Sequence, residues 1–190
     1  MLKEAPAASG KENIMLMISL KNVAKKDQHL HAHSLLRSCL GVLGLQYVPG
    51  STPVVLGEHG KPSLKDHPEI HYNLSHADGI AACIVSEHEC GIDCEKVRAY
   101  RPNVVRRSFS ENEQRLIDEA SGKERDLLFF RLWTLKEAYV KTIGIGVSYP
   151  LDTIEFSFDG ENIISSAEGY VFRQHILSGG DYVVSSCEKI

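Results

Sequence analysis

The stretch that decides the fold is IHYNLSHADGIAACIVSEHECGIDCE, Ile70 to Glu95. Two apolar runs, Ile70 to Leu74 and Ile80 to Val85, flank Ser75-His76-Ala77-Asp78-Gly79, whose turn-forming residues join them as a hairpin. A third strand, Cys90 to Glu95, follows almost at once. In Gly91-Ile92-Asp93-Cys94-Glu95, strand alternation sends Asp93 and Glu95 to one face and Ile92 and Cys94 to the other. Two carboxylates side by side repel, so the pattern is costly unless the edge is well solvated or a cation sits between them. A solvent-facing strand end accounts for the pair alone as readily as a metal site does.

Toward the N-terminus, Ile14 to Leu20 reads as a strand. Asp27 to Leu45 reads as a helix in which Leu35, Leu36, Leu40 and Leu43 recur at helical spacing. Pro53 to Gly57 is a short apolar stretch, and the turn Gly60-Lys61-Pro62 holds Lys61 in a defined direction. The first dozen residues carry Ala, Pro, Ser and Gly without periodicity and read as a loose terminus. Toward the C-terminus, Ser110 with Glu113 and Ser121 with Glu124 fit capping boxes, which predicts two helices, the second ending near Gly144. Thr153 to Phe158, Gly169 to Leu177 and Tyr182 to Cys187 return to strand character, with a turn at Ser178-Gly179-Gly180-Asp181. The fold class is α+β: a loose terminus (1–12) and two halves (13–86 and 87–190). The order of elements makes the halves similar, although no residue-level repeat is visible.

At 190 residues the chain suits one compact unit. A formal net charge of -4 argues against a general nucleic-acid binder, which needs a basic excess. No apolar run approaches the roughly 20 residues that span a bilayer, and the chain reads as cytoplasmic. The five cysteines are an odd set that fits reduced thiols; Cys90 and Cys94 offer half a zinc site with no second half. His29 and His33 lie four apart and could share zinc, but no glutamate follows the first as in a zinc-protease helix, so they read as surface histidines, with His31 pointing elsewhere.

The residues with the clearest chemistry lie in Trp133-Thr134-Leu135-Lys136-Glu137-Ala138-Tyr139-Val140-Lys141. Trp133, Glu137 and Lys141 are four apart and share one helix face. Alone, Glu137 and Lys141 are an ordinary helical ion pair worth a few tenths of a kcal/mol. Together with Asp93 and Glu95 they make three acids for a metal and lysines for phosphate, because Mg²⁺ favours carboxylates combined with phosphate oxygens. Asn73-Leu74-Ser75-His76 ends a strand with a hydroxyl and an imidazole able to contact a phosphate or an adenine ring.

In this order, the Gly-Lys-Pro turn, Asn73 to His76, Gly91 to Glu95 and Trp133 to Lys141 resemble the 4'-phosphopantetheinyl transferase superfamily, in particular its larger, monomeric, surfactin-synthetase-activating class. The resemblance implies two α+β halves related by a pseudo-two-fold, with the active site in the cleft between them and coenzyme A as donor. It implies that Asp93, Glu95 and Glu137 hold Mg²⁺, or Mn²⁺ in its place, against the pyrophosphate. Lys141 and Lys136 would contact phosphates, and Lys61, Ser75 and His76 the adenosine part and its 3'-phosphate. A serine of an apo acyl or peptidyl carrier protein would attack the β-phosphate and release 3',5'-ADP, with Glu137 a candidate proton acceptor. Basic residues that grip the 3'-phosphate in the family would be represented by Lys25, Lys26 and Arg37, with His31 or His33 assisting. Arg98, Arg101, Arg106, Arg107 and Phe109 are a candidate surface for an acidic carrier. Clustered acids with lysine also suit a metal-dependent nuclease or phosphatase, and a coenzyme A-binding relative without turnover would share the fold.

Overall fold

The computed structural model describes residues 2–3 and 14–190. The first half consists of β1 (Leu2–Lys3), β2 (Met15–Leu20), α1 (Gln28–Val42), the hairpin β3 (Val54–Leu56) and β4 (Pro62–Leu64), β5 (His71–Ala77) and β6 (Ile80–Ser86). The second consists of β7 (Cys90–Lys96), α2 (Pro102–Ser108), α3 (Glu111–Glu119), α4 (Gly122–Ile143), the hairpin β8 (Phe156–Asp159) and β9 (Asn162–Ser165), β10 (Tyr170–Leu177) and β11 (Tyr182–Lys189). The sheets run β1-β2-β6-β5 and β10-β11-β7. In each half a strand (β2, β7) leads to the long helix, then a two-stranded hairpin, then two strands of which the last inserts beside that leading strand. The halves therefore share one connectivity without sharing residues.

Side-chain alternation on β6 explains its unbroken apolar run. Ala81, Cys83 and Val85 face α1, which buries Ala32, Leu35, Leu36, Cys39 and Leu40 at helical spacing. Ile80, Ala82 and Ile84 face the other way and pack on Cys90, Ile92 and Cys94 of β7 and Val184 of β11. That second cluster is the seam between the halves. A third core, around Phe129, Phe130, Leu132 and Leu135 of α4, fills the space under α2, α3 and β8.

β7 is the hinge of the architecture. One edge pairs antiparallel with β11. On the other, side chains of β5 satisfy its backbone donors: the Ile92 amide donates to Asn73 Oδ1 at 2.9 Å and the Cys94 amide to Ser75 Oγ at 3.2 Å. Its face toward α4 tolerates no bulk at Gly91, where an added Cβ would overlap the Ala138 carbonyl and lie 2.5 Å from the Thr142 amide nitrogen and 2.7 Å from Thr142 Oγ1. The first two are backbone atoms of a packed helix that cannot yield cheaply. Gly91→Ala is expected to cost about 3 kcal/mol, read as a lower urea midpoint; an unchanged midpoint would show that α4 can slide on β7.

Several boundaries differ from the sequence reading. The first helix is shorter and is preceded by a 3-10 turn at Lys25–Asp27. Three helices, not two, follow β7. Ser110 and Glu113 form the expected capping box, with 3.2 Å from the Glu113 amide to Ser110 Oγ and 2.8 Å from the Ser110 amide to Glu113 Oε2. Ser121 makes no side-chain cap, and the third helix relies on packing instead. The strand expected over Thr153 to Phe158 begins only at Phe156, after a 3-10 turn at Leu151–Thr153. Within the stretch read as a loose terminus, Leu2–Lys3 pairs with β2; the rest lies outside the described residues. Among the described residues, no helix is long and apolar enough to cross a membrane.

Candidate active site

The site forms where the C-terminal half of α4 crosses β7. Helix α4 runs 22 residues and carries Glu137 and Lys141 on the face turned toward Asp93, while Gly144 at φ 72° ends it by donating its amide to the Val140 carbonyl at 2.9 Å. Lys141 Nζ donates to Asp93 Oδ1 at 2.7 Å, to the Ile92 carbonyl at 3.0 Å and to Ser75 Oγ at 3.3 Å. Ser75 in turn donates to Asp93 Oδ1 at 3.0 Å. The other Asp93 oxygen, Oδ2, is buried and has no hydrogen-bond partner. A carboxylate oxygen left bare inside a protein is expensive.

Glu137 lies beside this cluster. Burial pushes its carboxyl up from the ordinary glutamate range, the Asp93 and Glu95 charges push it further, and Lys141 pulls it back. Burial alone would lower the Lys141 ammonium; the hydrogen-bonded Asp93 carboxylate more than offsets this and holds it above its usual value. Glu95 is engaged at 2.9 Å by Arg98. Among the described residues, no three acids, histidines or cysteines converge as a preformed metal cluster. The donor set nevertheless suits a hard cation: it is all oxygen, its acids repel one another, and one buried oxygen is unsatisfied.

A cavity of about 310 Å³ opens beside Glu137, between the two halves, with Lys61, Asn73, Glu137, Lys141, Gly144 and Tyr149 among its walls. Lys61 comes from the turn leading into β4 and donates to the Thr142 carbonyl in the last turn of α4 at 2.6 Å. Burial holds its ammonium below the ordinary lysine range, although the thiol of Cys90 and the Glu89 carboxylate oppose that. Two lysines from different halves therefore line one cavity, an arrangement suited to a multiply charged anion.

The structure sets Asp93 against Lys141 and places Lys61, Glu137 and Lys141 around one cavity, and it puts other sequence-derived candidates elsewhere. Lys136 does not face the cavity. It is fully buried on another side of α4, paired with Glu113 at 2.7 Å and donating to the carbonyls of Leu151 at 2.8 Å and Ile154 at 2.5 Å. No donor remains for a phosphate. Ser75 is buried, and its hydroxyl is committed to Asp93, Lys141 and the β7 edge, so it orients the acid and does not reach an adenosine. Arg37 is exposed on α1, donates to the Tyr47 carbonyl at 3.1 Å and is absent from the cavity wall. His31 bonds Ser19 Oγ at 3.0 Å. Phe109 is 1% exposed and packs in the third core, so the basic surface around Arg101, Arg106 and Arg107 lacks that apolar contact. His76 is exposed at the end of β5; partial burial, then His29 and Lys141, lower its pKa. Sequence reasoning missed the contribution of Asn73 and of the Gly144-to-Tyr149 segment, which the helix-ending glycine at Gly144 could have indicated.

The model for the 4'-phosphopantetheinyl transferase superfamily matches residues 89–187, a span that holds Asp93, Glu95, Glu137 and Lys141. The chain belongs to that superfamily. Within it, the chain is 26% identical over 178 residues to a 4'-phosphopantetheinyl transferase of Bacillus subtilis, covering 88% of this chain and 80% of that protein. It is 28% identical over 162 residues to the 4'-phosphopantetheinyl transferase Sfp of Bacillus subtilis (strain 168), covering 81% and 72%. It is 35% identical over 130 residues to the 4'-phosphopantetheinyl transferase HetI of Nostoc sp., covering 65% and 54%. This superfamily member is thus Sfp-like along most of its length. The family match begins only at β7, so Lys61 and His76 rest on geometry alone.

Proposed function

We propose that this enzyme transfers the 4'-phosphopantetheine group of coenzyme A to a serine of an apo acyl or peptidyl carrier protein and releases 3',5'-ADP. The observation that carries the reading is the unsatisfied Oδ2 of Asp93, set beside Glu137 and a cavity with two lysines. Asp93, Glu95 and Glu137 would hold Mg²⁺, or Mn²⁺ in its place. When bound, that cation would supply neutralising charge to the pyrophosphate oxygens.

The chain's own residues account for the remaining steps. Lys141, held by Asp93, Ser75 and the Ile92 carbonyl, supplies fixed positive charge beside the pyrophosphate, and Lys61, with donors to spare beyond the Thr142 carbonyl, contacts its oxygens from the other half, so that little reorganisation accompanies charge development. His76, exposed beside this cluster, is placed for the adenosine end of the donor. Glu137 is less acidic than an ordinary glutamate because of burial, which makes it a better acceptor for the carrier serine proton. The serine oxygen forms a bond to the β-phosphorus, the bond from that phosphorus to the bridging oxygen breaks, and the oxygen departs on 3',5'-ADP. All five cysteines are buried and free, which suits an enzyme working in the reducing cytoplasm.

The test is the intact mass of an apo carrier protein after incubation with this chain, coenzyme A and Mg²⁺. A phosphopantetheine-sized gain, abolished by EDTA and by Glu137→Ala, is the expected result. No gain across acyl and peptidyl carriers, with no coenzyme A binding, would sink the reading.

A further inference from the structure

His29 and His33 occupy successive turns of α1, and their Nε2 atoms share a hydrogen bond at 3.0 Å, whose proton a cation bound by both rings would displace. Their spacing alone left them as surface histidines. The structure adds a partner that the spacing does not contain: the other ring nitrogen of His33, Nδ1, lies 2.6 Å from the hydroxyl of Tyr47, a residue only 5% exposed. The His33 and Tyr47 rings are parallel within 6° with centroids 5.8 Å apart. His33 is therefore fixed from behind, with Nε2 turned toward His29. Metal-binding histidines are held in this way, one nitrogen engaged by an outer partner and the other left for the ion.

The dimensions agree with that comparison. Zinc–nitrogen bonds of about 2.0–2.1 Å in a tetrahedron place two ligand nitrogens roughly 3.3 Å apart, so this pair has to open by only a few tenths of an ångström. Partial burial lowers the pKa of His33, and the neighbouring His29 and His76 lower it further, which keeps its lone pair available near neutral pH. We infer that His29 and His33 form a two-histidine site for a late transition-metal dication, Zn²⁺, outside the acid cluster. Water completes its coordination, since no third acid, histidine or cysteine among the described residues stands ready as a ligand. Imidazole nitrogens favour Zn²⁺ over Mg²⁺, whereas the carboxylates around Asp93 suit Mg²⁺, so these two cations sort to separate places. The His76 ring lies 6.1 Å from that of His29, so a dication held there adds positive charge on the flank of the active site.

The experiment is a Zn²⁺ titration of the whole chain against a chromophoric chelator, in excess Mg²⁺ so that oxygen sites are occupied. One Zn²⁺ per chain is expected. His29→Ala, at an exposed position, should abolish it, His33→Gln should do the same, and Tyr47→Phe should weaken it by about tenfold through loss of the outer partner. Binding that persists unchanged in both histidine variants would place the cation elsewhere, for example on thiols. Absence of Zn²⁺ uptake by the parent chain would equally overturn the site.

Discussion

Lys136→Met is expected to lower the stability of the chain by about 3–5 kcal/mol while leaving its affinity for coenzyme A unchanged. Lys136 and Glu113 are both fully buried. Burial pushes each toward its neutral form, the lysine down and the glutamate up, and each charge counters the shift of the other. Removing one member leaves an uncompensated charge in the core, the costly way to break a buried pair. The carbonyls of Leu151 and Ile154 also lose their donor. In a chain of this size the loss corresponds to a fall in Tm of about 6–20 °C. Glu113→Gln combined with Lys136→Met should recover part of it, because both charges are gone while the glutamine oxygen still accepts from the Ser110 or Phe156 amide, the two backbone donors that Glu113 serves. Urea unfolding and coenzyme A titration, run on the same samples, separate this placement from a phosphate-binding lysine: a stable Lys136→Met protein that had lost coenzyme A affinity would return Lys136 to the site.

That lysine also shows where sequence reading stopped. Glu137 and Lys141, four apart, share a helix face, and the structure keeps them together. Lys136 precedes Glu137 by one residue, about 100° around the helix, so it cannot share that face; the motif named the residue but not its direction. The strands of the seam were legible because both faces of β6 are buried, which writes a continuous apolar run into the sequence. The hairpin β3–β4 was not, since Val54, Val55 and Leu56 are all exposed and carry no alternation. Helix α2, seven residues long, is too short for a periodic signal. The role of Ser75 was hidden for another reason: its partners, Asp93, Cys94 and Lys141, lie 18, 19 and 66 positions away, and only the packing of β5 against the free edge of β7 brings them together.

Asp93→Asn is expected to reduce phosphopantetheine transfer by about a thousandfold or more without unfolding the chain. The substitution keeps the shape of the side chain and an oxygen able to accept from Ser75 and Lys141, so the contacts that join β5, β7 and α4 persist. It removes the negative charge with which the bare Oδ2 would serve the proposed cation. Charge neutralisation by a bound metal contributes several kcal/mol to reactions of this class, and each 1.36 kcal/mol is tenfold in rate, which sets the scale of the loss. Lys141 loses the carboxylate that raises its pKa and becomes a weaker cation, but it stays beside the cavity, so coenzyme A binding without metal should survive within about tenfold. The measurement pairs single-turnover transfer at saturating Mg²⁺ with metal-free coenzyme A titration and a circular-dichroism melt. Loss of transfer with binding and melting retained assigns Asp93 to the reacting end of the donor. Transfer within a few fold of the parent would show instead that Asp93 serves only to aim Lys141, and that the cation is held by Glu137 and Glu95 without it.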